Sequence, residues 1–281
     1  MEKKSAKQIY GVLGYPAKHS LSPLMHNAAF KALGINAEYK IFEVEPQHLE
    51  KFIRSLSAQN ISGINVTIPY KEKVIPFLDS ISAEAKLIAA VNTIKVEKNK
   101  LEGFNTDGEG FLRDISEVFD FNPTDKTIAI LGAGGASKAV SVYLAKTKPR
   151  RIAVYDIDKE KLAALIAHLD DSCKGIEFVA ANSIDELGIQ DSDLLVNATP
   201  IGMKEADPSL VDRKFLHKDL LVYDLIYHVR ETALLRAARE KGCRTSGGLG
   251  MLLSQGMISF KIWTGRNAPR DVMEQALLEA L

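Results

Sequence analysis

The sequence predicts an α/β fold in two domains, one of them built on a parallel sheet. Three observations predict it. At 281 residues the chain is long enough for two separate hydrophobic cores. A strand–turn–helix–strand unit, TIAILGAGGASKAVSVYLAKTKPRRIAVYD, runs from Thr127 to Asp156. Short apolar strands and one-sided helices alternate along the rest of the chain, which is how βαβ units read in sequence.

The central unit carries the most specific pattern. Ile128 to Leu131 read as a buried strand, the chain turns on Gly132, Gly134 and Gly135, and Ser137 to about Lys146 read as a helix. Arg151 to Tyr155 form the returning strand, which ends in Asp156, 24 residues past Gly132. A tight bend and a close approach to a pyrophosphate both call for glycine, and the helix N-terminus offers unpaired N–H groups to that anion. The third fingerprint position is Ser137 rather than Gly or Ala. A glycine triplet alone would read as a turn; with strand, helix and acid all in place, the unit reads as a Rossmann dinucleotide site. Asp156-Ile157-Asp158 closes the second strand without an arginine. A carboxylate there bonds ribose hydroxyls and repels a 2′-phosphate, so NAD is expected rather than NADP. Lys159 and Lys161 fall on the solvated face of the next helix.

Composition narrows the partners. Lys+Arg and Asp+Glu balance at 36 each with no basic stripe, which argues against nucleic acid. Cys173 and Cys243 are far apart and form no CxxC pair, so they read as reduced structural thiols. The six histidines have no ligand spacing, and no metal site is expected. MEKKSAKQIYGVLG lacks the apolar core of a signal peptide, and no run of apolar residues reaches membrane-spanning length. The expectation is a soluble cytoplasmic protein without a membrane partner.

In chain order, Gln8 to Gly14 is the first strand. A helix opened by Ser22-Pro23 ends at Gly34, with Ser22 reading as its N-cap. Ser20 has no such structural reason, and His19 and His26 read as incidental surface groups. Ala37 to Val44 is a strand, and Pro46 to Ala58 a helix with Leu49, Phe52, Ile53 and Leu56 on one face. In GINVTIPYKEKV, from Gly63, Ile64, Val66 and Ile68 alternate with Asn65 and Thr67, and Pro69 ends the strand. Two readings stand there: an edge strand with one wet face, or a strand end that, with Lys71, binds a polyhydroxylated ligand. Ile81 to Ala90 is helical, and Val91 to Val96 pairs with Leu101 to Phe104 around Lys98-Asn99-Lys100, with Asn92 at its start. Asn105-Thr106-Asp107-Gly108 then leads into a helix, Gly110 to Phe119, which Asp107 can cap.

Beyond the glycine unit, Leu194 to Ala198 runs into Thr199-Pro200-Ile201-Gly202-Met203, and Leu220 to Ile226 ends at Tyr227. Both strands end in polar loops, where open parallel sheets bind ligands. Thr232 to Lys241 is a helix closed by Gly242. The helix after Gly247 contains Gln255, either a satisfied core amide or a ligand contact, and Arg270 to Leu281 is the last helix.

Together these segments resemble the shikimate dehydrogenase family over nearly the whole chain. The matching motifs are Ser20-Leu21-Ser22-Pro23, Asn65-Val66-Thr67 with Lys71, Val91-Asn92-Thr93 and Asn105-Thr106-Asp107. They continue as Gly132-Ala133-Gly134-Gly135-Ala136, Asn197-Ala198-Thr199 with Gly202-Met203, and Gly247-Gly248 through Gln255. The resemblance implies that Ser20, Ser22, Asn65, Thr67, Asn92, Asp107 and Gln255 hold the hydroxyls and carboxylate of shikimate, with Tyr227 in the same pocket. Lys71 and Asp107 would be the catalytic pair. Gly132 to Ala136, Asp156, Asp158, Asn197, Thr199, Met203 and Gly248 would serve the cofactor. Residues 1–107 plus 247–281 would form the substrate domain and 108–246 the Rossmann domain, with the site in the cleft where they meet.

Two departures stand out. Typical members have Asn-Arg-Thr in place of Asp156-Ile157-Asp158, and Val229 replaces a usual proline. Loss of that arginine, which grips the NADP phosphate, is similar to the NAD-using quinate/shikimate dehydrogenases. The implied reaction interconverts shikimate and 3-dehydroshikimate by hydride transfer with NAD(H), in a monomer or homodimer. The alternatives are an NAD-dependent quinate dehydrogenase and a non-catalytic module sensing NAD or shikimate.

Overall fold

The computed structural model describes residues 7–280. The chain divides into two compact units: the residues up to Thr106 together with those from Gln255 onward, and Asp107–Ser254.

The first unit opens with β1 (Gln8–Gly14), α1 (Ser22–Ala32), β2 (Ala37–Glu43), α2 (Leu49–Ser55) and β3 (Ile61–Val66). It continues with β4 (Ser80–Ile81), α3 (Ala83–Ile88), β5 (Thr93–Glu97) and β6 (Lys100–Phe104). The sheet runs β2-β1-β3-β5-β6-β4. β1 is parallel to β2 and β3, while β3, β5 and β6 are antiparallel in succession. The β5–β6 turn places Lys98 and Asn99 at φ of 51° and 62°, the left-handed pair whose twist suits a two-residue hairpin.

β3 is an interior strand, so the edge-strand reading of Asn65 and Thr67 fails. Ile64 and Val66 face an apolar core with Leu13, Ile53 and Ile94. The opposite face is covered by rings: Tyr10 packs on Phe30 and Trp263, and Phe30 on Phe260. A Cβ at Gly63 would lie 2.4 Å from the Trp263 indole nitrogen, so only glycine leaves room for that ring. The same Nε1–H donates to the Ile94 carbonyl at 3.0 Å.

Two expectations on α1 are corrected. Ser22 does not cap: Leu21 occupies the cap position, no side chain caps the helix, and the Ser22 N–H donates to Ser20 Oγ at 3.3 Å. His19 is exposed, but His26 is 0 % exposed. The His26 ring stacks on Tyr39 at 4.5 Å with 7° between planes, and neither ring nitrogen has a partner. A histidine that reads as polar is here a flat aromatic filler on the buried face of α1.

The second unit holds α4 (Asp107–Phe119), β7 (Thr127–Leu131), α5 (Gly135–Lys146), β8 (Arg151–Tyr155), α6 (Lys159–Ser172) and β9 (Glu177–Ala180). It continues with β10 (Leu194–Asn197), β11 (Leu221–Asp224), α7 (Ala233–Glu240) and β12 (Arg244–Gly247). All strands are parallel, in the order β12-β11-β10-β7-β8-β9. Numbered from β7 this is the 3-2-1-4-5-6 arrangement of a Rossmann sheet, read from the β9 edge. β9 and β12 are the two edge strands, each four residues long with no fully buried position, and so they escape a sequence reading.

α8 (Leu249–Thr264) and α9 (Arg270–Leu278) close the chain. The division falls inside α8 rather than at Gly247, because β12 pairs with β11 through Gly247 and the first turn of α8 belongs to the same unit. A Cβ at Gly250 would lie 2.0 Å from Asp114 Oδ1 on α4, and Tyr223 of β11 donates its hydroxyl to the same carboxylate. Burial, reinforced by that carboxylate, holds the Tyr223 phenol well above its ordinary value. No helix among the described residues is long and apolar enough to cross a membrane.

Candidate functional site

In the first unit the polar residues singled out by sequence collect at one end of the sheet. Register sets this: Val12 of β1 stands beside Asn65 of β3, Asn65 opposite Thr93 of β5, and Thr93 opposite Phe104 of β6. The ends of β1, β3 and β6 and the start of β5 therefore share one edge. The backbone there is cross-tied. The Thr67 N–H donates to Leu13 O at 2.9 Å, Val66 N–H to Asn92 O at 2.7 Å, and Asn92 N–H to Phe104 O at 3.0 Å.

Side chains continue the pattern. Asn92 Nδ2 donates to Thr106 Oγ1 at 2.9 Å, and its Oδ1 accepts from Thr106 N–H at 2.8 Å. Thr106 Oγ1 lies 3.5 Å from Gln255 Oε1 on α8. Asn65, Asn92, Thr106 and Gln255 are all at least nine-tenths buried. Gln255 is thus joined to this edge. Lys71 follows a short turn in which Tyr70 N–H donates to Thr67 O at 2.9 Å, and its own carbonyl accepts from Val91 N–H at 2.7 Å. Tyr70 is wholly buried and donates its hydroxyl to Val44 O, so the backbone carrying Lys71 is held from three directions. Ser20 is half-buried and Ser22 buried at the start of α1.

In the second unit the glycine turn has the geometry a dinucleotide requires. Gly132 adopts φ of +100°, and a Cβ there would lie 2.9 Å from Ala198 O; only glycine satisfies both. Nothing stands within 4 Å of a Cβ placed on Gly134, and the α5 N-terminus has no side-chain cap. That open, uncapped helix start fits a pyrophosphate. Ser137, the small third position, is 0 % exposed and its hydroxyl finds no partner, so the position serves packing. Gly135 and Ala136 lie half-buried in the first turn of α5.

The carboxylates after β8 turn inward. Asp156 accepts from Ala133 N–H at 2.6 Å and from Asp158 N–H at 2.8 Å, latching the glycine loop. Asp158 caps α6 by accepting from Lys161 N–H at 3.1 Å and pairs with Lys161 Nζ at 2.8 Å. The Lys161 contact also holds the Asp158 carboxyl below its usual range.

Asn197, 1 % exposed, shapes the loop after β10 rather than presenting itself to solvent. Its Nδ2 donates to Ile201 O at 3.1 Å and Asp224 Oδ1 at 3.0 Å, and its Oδ1 accepts from Thr199 Oγ1 at 2.7 Å. Met203 is exposed on that loop. Asp224, which the sequence reading does not single out, is wholly buried and also accepts from Thr232 Oγ1 at 2.7 Å. Burial pushes its carboxyl up to about 6 against the pull of those bonds. Tyr227 has its phenol pushed up to about 12, first by burial and then by the charge of Asp107, so it stays a hydrogen-bond donor at neutral pH. Asp107 itself is 6 % exposed.

Gly248 is packed tightly against the end of β11. A Cβ there would lie 2.1 Å from the Leu225 carbonyl oxygen, a backbone atom that cannot give way. Gly248→Ala is expected to cost roughly 1–3 kcal/mol of stability, read as a lower urea midpoint. An unchanged midpoint with a weakened cofactor KM would return Gly248 to the cofactor.

A parallel sheet in Rossmann order with a glycine loop at its switch point, followed by α8 into a second α/β unit, defines a two-domain Rossmann-type protein, as expected. Residues 12–94 match the family model described as the shikimate dehydrogenase substrate binding domain, and residues 248–278 the shikimate 5′-dehydrogenase C-terminal domain. A relative from Methanopyrus kandleri named shikimate dehydrogenase (NADP(+)) is 44% identical over 279 residues, 97% of this chain and 96% of the other. The crystal structure of shikimate dehydrogenase from Aquifex aeolicus superposes with a TM-score of 0.90 at 40% identity, covering 98% of this chain and 99% of that one. A shikimate dehydrogenase solved in complex with NADP+ gives a TM-score of 0.91 at 39% identity, covering 97% and 95%. The chain belongs to the shikimate dehydrogenase family.

The expectation of NAD is corrected by the same findings, since the relatives carry NADP(+) in their names and one binds NADP+ in its crystal structure. Asp156 and Asp158 do not act as carboxylates presented to a ribose: one latches the glycine loop, and the other is engaged in a helix cap and an ion pair.

Proposed function

We propose that this chain is a shikimate dehydrogenase that interconverts shikimate and 3-dehydroshikimate with NADP(H). The observation that carries the reading is the edge of buried amides and hydroxyls, Asn65, Asn92, Thr106 and Gln255, in a member of this family. Such groups match ring hydroxyls and penalise an analogue that leaves them unpaired. Ser20, Ser22 and Thr67 extend the same recognition from the loops, and Tyr227 adds a phenol donor. The nicotinamide supplies or accepts the hydride at its ring carbon. The residues of the chain handle the proton: the Lys71 ammonium donates to the oxygen of the ketone as it becomes an alcohol, with Asp107 as its partner in the catalytic pair. Gly132 to Ala136 take the pyrophosphate, and Thr199 and Met203 border the nicotinamide.

Initial rates with shikimate and quinate, each against NADP+ and NAD+, test the proposal. The shikimate–NADP+ combination should exceed the other three. Folded protein that turns over none of them overturns the enzymatic reading, and a higher kcat/KM for quinate overturns the substrate.

A further inference from the structure

We propose that Ser259, one helical turn beyond Gln255 on α8, is a positioning residue that fixes the amide of Asn65 for substrate, acting together with Tyr39. The proposal rests on the shikimate site proposed above and deepens it.

Ser259 is 0 % exposed, and its hydroxyl carries a single hydrogen. That hydrogen goes to the Gln255 backbone carbonyl at 3.0 Å, which can only accept. Toward Asn65 Nδ2, which only donates, Ser259 Oγ acts as an acceptor at 3.0 Å. The Thr93 and Thr106 hydroxyls stand 2.8 and 3.2 Å from the same oxygen, and in each contact either hydroxyl can donate. An acceptor at that point demands the NH2 end of the Asn65 amide. At the other end, Tyr39 donates its hydroxyl to Asn65 Oδ1 at 2.7 Å. The two contacts specify the same amide orientation from opposite sides. The Asn65 hydrogens are also shared with Asn92 O at 3.2 Å and Thr93 Oγ1 at 3.0 Å, so the nitrogen is saturated by the protein. What Asn65 has left is the second lone pair of Oδ1. Asn65 therefore meets substrate as an acceptor of a hydroxyl hydrogen, and Ser259 keeps it from flipping to the opposite polarity.

Ser259 does not touch a reacting atom in this scheme. Its loss should weaken substrate recognition and leave the chemical step. For Ser259→Ala the expected result is a KM for shikimate raised about tenfold, with kcat within about threefold and KM for NADP+ within about twofold of wild type. In an Asn65→Ala background the same substitution should change KM by less than about twofold, because the amide it orients is gone. Tyr39→Phe, which removes only the hydroxyl at the other end of the amide, should shift KM in the same direction.

The outcomes separate cleanly. With wild-type protein active on shikimate, an unchanged KM for Ser259→Ala overturns the positioning role and leaves the enzyme reading intact. Full independence of the Ser259 and Asn65 effects overturns it too. If Ser259→Ala does not fold, Tyr39→Phe decides, and an unchanged KM there overturns the proposal. Wild-type protein that does not turn over shikimate brings down the functional reading itself, and the positioning role with it.

Discussion

If Lys71 is the proposed acid–base, Lys71→Ala is expected to lower kcat for shikimate oxidation by about 10²–10⁴-fold, the range a positioned general acid–base contributes, while KM stays within a few-fold. The structure makes this a clean substitution. The backbone at Lys71 is tied by its carbonyl to Val91 N–H at 2.7 Å and anchored by the buried Tyr70 beside it, so truncation past Cβ leaves the loop in place. A loss confined to KM would make Lys71 a binding residue.

The wild-type protein is expected to lose stability in acid through His26, and His26→Leu to remove that loss. Burial without a hydrogen-bond partner pushes the imidazole from 6.5 down to about 3. The folded pKa is depressed, so the neutral ring's contribution is fully present above pH 6.5 and disappears as pH falls through about 3. Over that window the change is roughly 5 kcal/mol. Asp224 works in the opposite sense in the other unit. Its carboxyl is pushed up to about 6, so its contribution grows as pH falls from about 6 toward 3.8 and offsets about 3 kcal/mol there.

The two can be told apart because the chain has one tryptophan, Trp263, whose ring lies 5.4 Å from His26 in the first unit. Urea unfolding followed by Trp263 fluorescence should show a midpoint that drops between pH 6.5 and 4 in the wild type and a flatter profile in His26→Leu. At pH 7 the variant should lie within about 1 kcal/mol of wild type, since it trades a stacked ring for relief of two unpaired nitrogens. An equally steep acid profile in the variant would rule out His26 as the titrating group.

How much of this was readable in sequence depended on how local the determining forces were. The glycine loop, β7, β8 and the β5–β6 hairpin were legible because backbone geometry and near-neighbour contacts specify them. Gly132 needs its positive φ whatever lies elsewhere, and a Lys98-Asn99 turn closes on adjacent strands. The ordered motifs likewise led to the family, and Asn65, Asn92 and Gln255 do gather with Thr106 at one sheet end. Ser259 carried the same signal as Gln255, a polar residue one turn away in an apolar helix, and could have been found by it.

The environment of each polar group was another matter. Ser22 reads as a cap, His26 as a surface group, β3 as a possible edge and Asp156 as a ribose ligand; each reading follows from neighbours in sequence, and the fold gave each a different neighbour. α8 covers the face of β3 that alternation marks as wet, bringing Ser259 to Asn65 from 194 positions away. Asp156 finds Ala133 across 23 positions before any ribose arrives. By itself the sequence determined the two-domain α/β class and the glycine loop, because periodicity and turn stereochemistry act over a few residues. Only the tertiary structure decided which polar groups are buried, which are already bonded and which retain a lone pair for a ligand, because desolvation and hydrogen-bond partners come from whichever distant element packs on top.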